Sequence, residues 1–261
     1  MILVFSGTGN SLFAAQHLAE QLGDSAPTIF PDRPTDVADA ERVVWVFPVY
    51  SWGVPPVVVD WMRHVMQGCP ALSGAEHYAV MTCGDDTGLT ARQWRRIIGE
   101  CGGQACAAFS VQMPNTYVLM KGFDVDAPEV AESKIAAAPA RLADIAGRIR
   151  AHATTDDCVR GSFAWVKSAI IYPWFVRHAM SPRPFHASDA CVGCGLCARS
   201  CPMANITMTE QHRPAWADRC AMCLRCYHIC PHRAVQYGRA TAGKSRYSNL
   251  ISLTAAKSEK Q

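Results

Sequence analysis

Eight of the 13 cysteines in this 261-residue chain lie between Cys191 and Cys230, and their spacing repeats. Cys191, Cys194 and Cys197 are followed by Cys201-Pro202; Cys220, Cys223 and Cys226 are followed by Cys230-Pro231. Thiolates are soft ligands, so this density points to metal, and iron–sulfur clusters or zinc are the candidates. Zinc sites usually set two Cys-x2-Cys pairs a dozen or more residues apart and need no third cysteine in each group. The triplets therefore favour iron–sulfur chemistry. A disulfide framework of the kind that staples a tiny secreted domain would not crowd eight cysteines into one end of a long chain. Gly193 and Gly195 leave backbone N–H groups free to approach cluster sulfurs, and such bonds help set potential.

A second group able to do chemistry lies at the other end of the chain. Ser6-Gly7-Thr8-Gly9-Asn10-Ser11 follows an apolar run and precedes a helical pattern. A turn that presents backbone N–H groups and hydroxyls at a helix amino terminus is a phosphate cradle. No lysine follows Gly9, which excludes a nucleotide-triphosphate loop. Leu12 stands where a dinucleotide fingerprint needs its third glycine. With no cation in the loop, helix dipole and hydrogen bonds would hold the phosphate. Two more loops could take the rest of a cofactor. Pro48-Val49-Tyr50-Ser51-Trp52-Gly53 offers aromatics beside a glycine, and Thr82-Cys83-Gly84-Asp85-Asp86 offers backbone polar groups. Tyr50 and Trp52 either contact a ring or cap a strand, and Cys83 either touches the cofactor or is a small buried hydrophobe. Asn115 and Tyr117 are further candidates. Cys69, Cys101, Cys106 and Cys158 read as structural, and His186, His228 and His232 as surface or supporting residues near the cysteine segment.

The elements that must hold these loops show in the hydrophobic pattern. Ile2–Phe5, Thr28–Phe30, Val43–Phe47, Tyr78–Met81 and Ala107–Val111 read as strands, mostly unbroken apolar runs of a parallel sheet covered on both faces. Leu12, Ala15, Ala19 and Leu22 recur at helical spacing and stop at Gly23; Ile135, Ala138, Leu142, Ile145 and Ile149 do the same later. This predicts a doubly wound α/β domain over residues 1–152, with a five-stranded parallel sheet in the flavodoxin-like order 2-1-3-4-5. The two additional loops then fall at the carboxyl ends of strands three and four, where such a sheet opens. Residues 153–184 form an aromatic-rich connector, expected to be a helical arm packed between two domains or else an exposed interaction patch. Residues 185–261 form the cysteine domain, ending in a polar tail from Arg239 with no evident pattern.

Composition bounds the rest. A hydrophobic share of 49% against 18% charged residues is enough for a packed core and excludes a disordered chain. The net charge of +3 is too small to argue for nucleic acid or an anionic membrane. It is uneven, since from Arg183 onward eleven Lys and Arg face four acids, a local excess of +7. The apolar stretch Phe163–Val176 is shorter than the roughly 20 residues of a spanning helix. With no leader-like amino terminus, the expectation is a cytoplasmic protein without a transmembrane segment.

On these residues, resemblances can be named. The cysteine runs resemble those of bacterial ferredoxins, in which the fourth cysteine of each run serves the other cluster. That resemblance implies one 4Fe-4S cluster on Cys191, Cys194, Cys197 and Cys230 and a second on Cys220, Cys223, Cys226 and Cys201, in an α+β ferredoxin-like domain. The Ser6–Ser11 loop resembles the flavodoxin phosphate loop, and the other two loops look like the flavin-flanking loops of flavodoxins. The whole chain is similar to the EFR-family fusions of flavodoxin and ferredoxin found in anaerobes, whose tail Gly243-Lys244-Ser245-Arg246-Tyr247 and Asn249 resemble. The resemblance implies FMN, two 4Fe-4S clusters and electron transfer with redox protein partners it does not identify. The expected function is an electron-transfer flavoprotein relaying low-potential electrons between the clusters and FMN. One alternative is a flavin-dependent reductase of a small organic acceptor such as a quinone, nitro compound or enone, in which Tyr50, Asp85 or Tyr117 could serve. A redox sensor is the other, although no DNA-binding motif supports a nucleic-acid partner.

Overall fold

In a computed structural model, residues 1–35, 37 and 40–247 are described, and Asn249 lies outside them. Five parallel strands, β1 (Ile2–Val4), β2 (Thr28–Ile29), β3 (Arg42–Pro48), β4 (Glu76–Cys83) and β5 (Gln104–Gln112), form one sheet in the order β2-β1-β3-β4-β5. Alternate side chains of these runs go to opposite faces. Val4, Val44, Val46 and Phe109 pack under α1 (Asn10–Leu22) and α4 (Pro128–Arg150). Leu3, Trp45, Phe47 and Met81 pack under α2 (Pro56–Gly68) and α3 (Thr90–Glu100). Covering both faces is what the continuous apolar runs require, and each fully buried large side chain contributes roughly 1.5–3 kcal/mol. At the end of α1, Gly23 takes the left-handed conformation (φ 68°) that closes the helix and donates its N–H to Ala19 O.

Beyond α4 the chain returns to the sheet before it leaves. Asp157 N–H donates to Ala108 O (2.8 Å), and Arg141 and Arg148 both hold the Asp157 carboxylate. The connector then forms α5 (Ala164–Val166), a π turn over Lys167–Ile171 and α6 (Tyr172–His178). It is helical, as expected, but it does not fill a gap between two halves. It lies against the loops after β3 and β4 of the flavodoxin-like domain, held by Lys167, Ser168 and Tyr172, with Phe163, Trp165, Ile170 and Trp174 exposed, while Phe175 alone among its large apolar side chains is buried.

The cysteine segment folds as a pseudo-repeat of two small antiparallel pairs and two short helices. β6 (Phe185–Ala187) pairs with β9 (Val235–Tyr237), and β7 (Ile206–Met208) with β8 (Pro214–Trp216). α7 (Leu196–Arg199) and α8 (Arg225–Ile229) each follow a cysteine triplet. Phe185, Ile206, Tyr227 and Val235 make its core. The expectation of a patternless tail needs correction up to Tyr247. Lys244 Nζ donates to Val118 O and Met120 O, Arg246 donates to Tyr227 O and Val235 O, and the buried Tyr247 donates its hydroxyl to Asn10 Oδ1 (2.9 Å). The tail thus ties the cysteine half to the phosphate-type loop.

Candidate cofactor sites and their junction

The carboxyl ends of β1, β3, β4 and β5 open into a cleft of about 420 Å³, a size typical of small-ligand pockets. The structure brings to it Ser6, Gly7, Thr8, Asn10, Ser11, Pro48, Val49, Tyr50, Ser51, Trp52, Thr82, Cys83, Gly84, Asp85, Asp86, Asn115 and Tyr117. Gly9 and Gly53 do not line it. Gly9 is the residue before α1, in a left-handed conformation (φ 100°), and its N–H donates to Ser6 Oγ (3.2 Å). Gly53 pairs with Tyr50 through backbone hydrogen bonds, and a Cβ there would fall 2.3 Å from the Tyr172 ring. Both shape loops that other residues present.

Local chemistry explains how the loops are held. No side chain caps α1, so the amides of its first turn are left for a ligand at the cleft. Ser11 Oγ and Thr82 Oγ1 share a hydrogen bond of 2.7 Å that ties the first loop to β4. Ser51 and Trp52 both have positive φ, a conformation L residues seldom adopt, and the loop is pinned from outside. Ser168 Oγ donates to Trp52 O (2.8 Å), and Lys167 Nζ lies 5.0 Å from the Trp52 ring while pairing with Asp86 at 2.6 Å. Asn115 lies over Gly84, where a Cβ would come within 1.8 Å of its Oδ1. Asp126 holds Asn115 by its N–H and Nδ2; burial would raise the Asp126 carboxyl pKa, but hydrogen bonds from Lys134 and Asn115 bring it below the usual range. Cys83 is buried, and burial, with Asp86 next, pushes its thiol up to about 12, the behaviour of a small neutral wall residue.

Sequence reasoning missed part of this lining: Met113, Pro114, Thr116, Met120 and Phe123 after β5, Ile171, Trp174 and Phe175 from the connector, and Met222, Cys223 and Leu224 from the second cysteine run. The run of Met and aromatic residues just past β5 was an available signal for the first group. Nothing local in the sequence signals the last.

The eight cysteines gather into two groups. Cys191, Cys194, Cys197 and Cys230 line one cavity. Cys201 lies with the other triplet, near enough to Cys220, Cys223 and Cys226 for its charge to act on each thiol. Burial is the main influence on these thiols: it pushes Cys220 up to about 12 and raises Cys223 and Cys226. Backbone N–H groups already aim at sulfur, from Asn205 to Cys201 Sγ (3.4 Å), Met222 to Cys220 Sγ (3.3 Å) and Ala234 to Cys230 Sγ (3.3 Å). The buried indole Nε1 of Trp216 has no partner at hydrogen-bond distance, yet it lies close enough to Cys226 to lower that thiol's pKa. Such an orphaned donor fits an acceptor sulfur of a cluster.

The two sites meet at Gly7. A Cβ at this glycine would come within 2.6 Å of Cys223 O and 2.9 Å of Cys223 Cβ, so only a residue without a side chain lets the loop and the second run touch. Arg225 clamps the contact, donating from Nη2 to Ser6 O (2.6 Å), from Nε to Gly7 O (2.7 Å) and from Nη1 to Ser200 O (3.1 Å). The loop itself contains no cation, but the other half supplies one behind it. Burial, followed by the neighbouring Cys223 and Cys220, raises the Tyr50 phenol well above its ordinary pKa, which keeps it neutral. His228 is buried rather than at the surface: its Nε2–H donates to Thr116 O (2.8 Å), Nδ1 accepts from Tyr247 N–H, and burial lowers its pKa to about 4. His186 and His232 are exposed.

Residues 183–246 match the family described as the 4Fe-4S dicluster domain. The chain fuses a flavodoxin-like domain to an iron–sulfur domain. The iron–sulfur match supports a redox, electron-transfer role. Among curated proteins nothing matches the chain. Among solved structures it is similar to the two-electron reduced flavodoxin of Megasphaera elsdenii, with 22% identity over 52% of this chain and 96% of that one at a TM-score of 0.37. It is also similar to the Trp repressor binding protein of Bacillus subtilis, with 14% identity, 54% and 97% coverage and a TM-score of 0.38. A protein of Bacteroides uniformis gives 12% identity, 43% and 88% coverage and a TM-score of 0.33. The flavodoxin-like fold of the first half shows in the parallel strand order β2-β1-β3-β4-β5 described above. Among the described residues no helix is long and apolar enough to cross a membrane.

Proposed function

We propose that the fusion relays electrons between two 4Fe-4S clusters and an FMN, exchanging them with a redox protein partner. The observation that carries this reading is the side-chain-free contact of Gly7 with Cys223, which joins the flavin-type loop to the second cysteine run. When bound, the clusters supply one-electron carriers and the flavin a carrier of one or two electrons.

The residues fit these groups. The uncapped start of α1, with Ser6, Thr8 and Ser11, suits a phosphate, and the cleft beyond it has the polar and aromatic lining of a flavin site. The crossed ligand sets follow the grouping of Cys230 with the first triplet and Cys201 with the second. Among the described residues no three His, Cys, Asp or Glu converge closely enough to grip a single ion. In the first group four cysteines line one small cavity, which suits a cubane filling that space better than one zinc ion. Arg225 keeps the two halves in register, Tyr50 stays neutral between cleft and second run, and the Trp216 indole is available to a cluster sulfur.

A second reading, reduction of a small organic acceptor at the flavin, is favoured by the apolar cleft mouth, where Met120, Phe123 and Trp174 are exposed. Anaerobic purification with iron, sulfide and flavin analysis tests the main reading. The expected result is about eight irons and one FMN per chain; four irons or fewer with intact cluster assembly would overturn it.

A further inference from the structure

The connector helix is inverted relative to a helix facing water. Its polar groups point into the protein: Lys167 Nζ to Asp86 (2.6 Å), Ser168 Oγ to Trp52 O (2.8 Å) and Tyr172 OH to Val54 O (2.5 Å). Apart from the buried Phe175, its large apolar side chains point outward, with Phe163 80%, Trp165 61%, Ile170 54% and Trp174 51% exposed. A surface helix ordinarily turns its apolar stripe to the core, and a contiguous exposed patch marks an interaction surface. The three inward anchors hold this orientation, so the helix cannot roll to hide the patch. The apolar surface continues onto the cleft rim at Met120 and Phe123, through ring contacts of Phe175 with Tyr117 and of Tyr117 with Phe123.

Charge selects what covers it. Between Cys158 and Ser188 the sequence has Arg160, Lys167, Arg177 and Arg183 and no Asp or Glu. Lys167 is paired with Asp86, which leaves the three arginines at the two ends of the apolar stripe. A second copy packed about a two-fold axis would bring to this stripe the same arginine-bearing ends and no Asp or Glu from this segment, so it offers no complementary charge. Anionic lipid headgroups complement them, and a stripe bounded by tryptophans and arginines has the composition of an interfacial helix. We infer that the connector helix and the Met120–Phe123 rim seat the protein on an anionic lipid surface, with the cleft mouth turned to the membrane. This surface assignment stands on the connector and does not depend on the relay.

The test is co-sedimentation of the holoprotein with vesicles of phosphatidylcholine alone and of phosphatidylcholine mixed equally with phosphatidylglycerol, with light scattering of the same sample without lipid. Binding to the anionic vesicles is expected to be stronger by about a hundredfold, on the order of what three arginines near such a surface supply, and to weaken as salt is raised. Phe163→Ser/Trp165→Ser/Ile170→Ser should lose that binding with flavin content retained. Arg160→Glu/Arg177→Glu should lose the anionic preference, and it decides the matter if the triple variant does not fold. Wild-type protein that ignores both vesicles, or a dimer in the lipid-free sample that the triple variant abolishes, would overturn the inference.

Discussion

The two cysteine runs share spacing and backbone path but not surroundings. In the first, Gly193 and Gly195 take positive φ; in the second, Met222 and Leu224 take the same conformation at the matching positions. L residues there are strained, and both are buried against the rest of the chain, which is what holds them. Cys194 of the first run is exposed, whereas its counterpart Cys223 lines the flavin-type cleft and touches Gly7. Repetition sets the backbone path of the cysteines, and their neighbours set how exposed each run is. The first run is reachable by an outside protein, and the second is the one joined to the flavin-type loop.

Removing either fourth cysteine would break this comparison most severely. Cys201→Ala is expected to convert or remove the cluster of the second run, and Cys230→Ala that of the first, each at a loss of up to about four irons. Iron analysis with EPR and Mössbauer spectra reads which cluster changes; damage to the first cluster in Cys201→Ala would mean in-line ligation.

A methyl group on a glycine of each region sharpens the contrast. Gly7→Ala meets the Cys223 backbone, so overpacking should cost about 1–3 kcal/mol and weaken flavin binding. Gly193→Ala meets His212 and should disturb the first cluster alone. Urea unfolding and flavin titration separate the two effects, and equal flavin loss in both variants would erase the distinction. Next in size, Arg225→Met leaves the carbonyls of Ser6, Gly7 and Ser200 without their donor, at a cost of about 1–3 kcal/mol, and limited proteolysis should find the halves loosened.

The smallest expected effect is confined to the sheet domain. His77 is neutral, accepting from Trp45 Nε1 (3.0 Å) and donating to Leu72 O (2.9 Å), and burial lowers its pKa. A histidine depressed on folding binds its proton more readily when unfolded. Its contribution is therefore complete above the ordinary value near 6.5 and is lost as pH falls from there toward the depressed folded value. Urea midpoints followed by tryptophan fluorescence should fall over that range, and His77→Gln should flatten the slope.

Much of this was legible in sequence because it is local. The five apolar runs and the Gly23 stop became strands and a helix end within a few residues, since burial on both faces leaves little freedom in where such runs lie. The loops at the carboxyl ends of β1, β3 and β4 were readable for the same reason. Met222 and Leu224 were not, because a left-handed conformation without glycine is imposed by packing across about 100 residues of sequence, in a core shared with Val118 and Leu119. The orientation of the connector was hidden as well. Its aromatics suggest burial, and only the bonds of Lys167, Ser168 and Tyr172 to the first half turn them outward. The tail looked featureless because Lys244, Arg246 and Tyr247 find their partners in distant backbone and in Asn10.

The most direct test of the central claim is rapid mixing of the anaerobic holoprotein with a reduced one-electron donor protein, following flavin and cluster absorbance together. In Cys201→Ala/Cys220→Ala, which removes two ligands of the second cluster, the first cluster should still be reduced at the wild-type rate while flavin reduction slows by two orders of magnitude or more, about 3 kcal/mol in the barrier. Flavin reduced in that variant as fast as in the wild type would contradict the account, because electrons would then reach the cleft without passing the run that touches it.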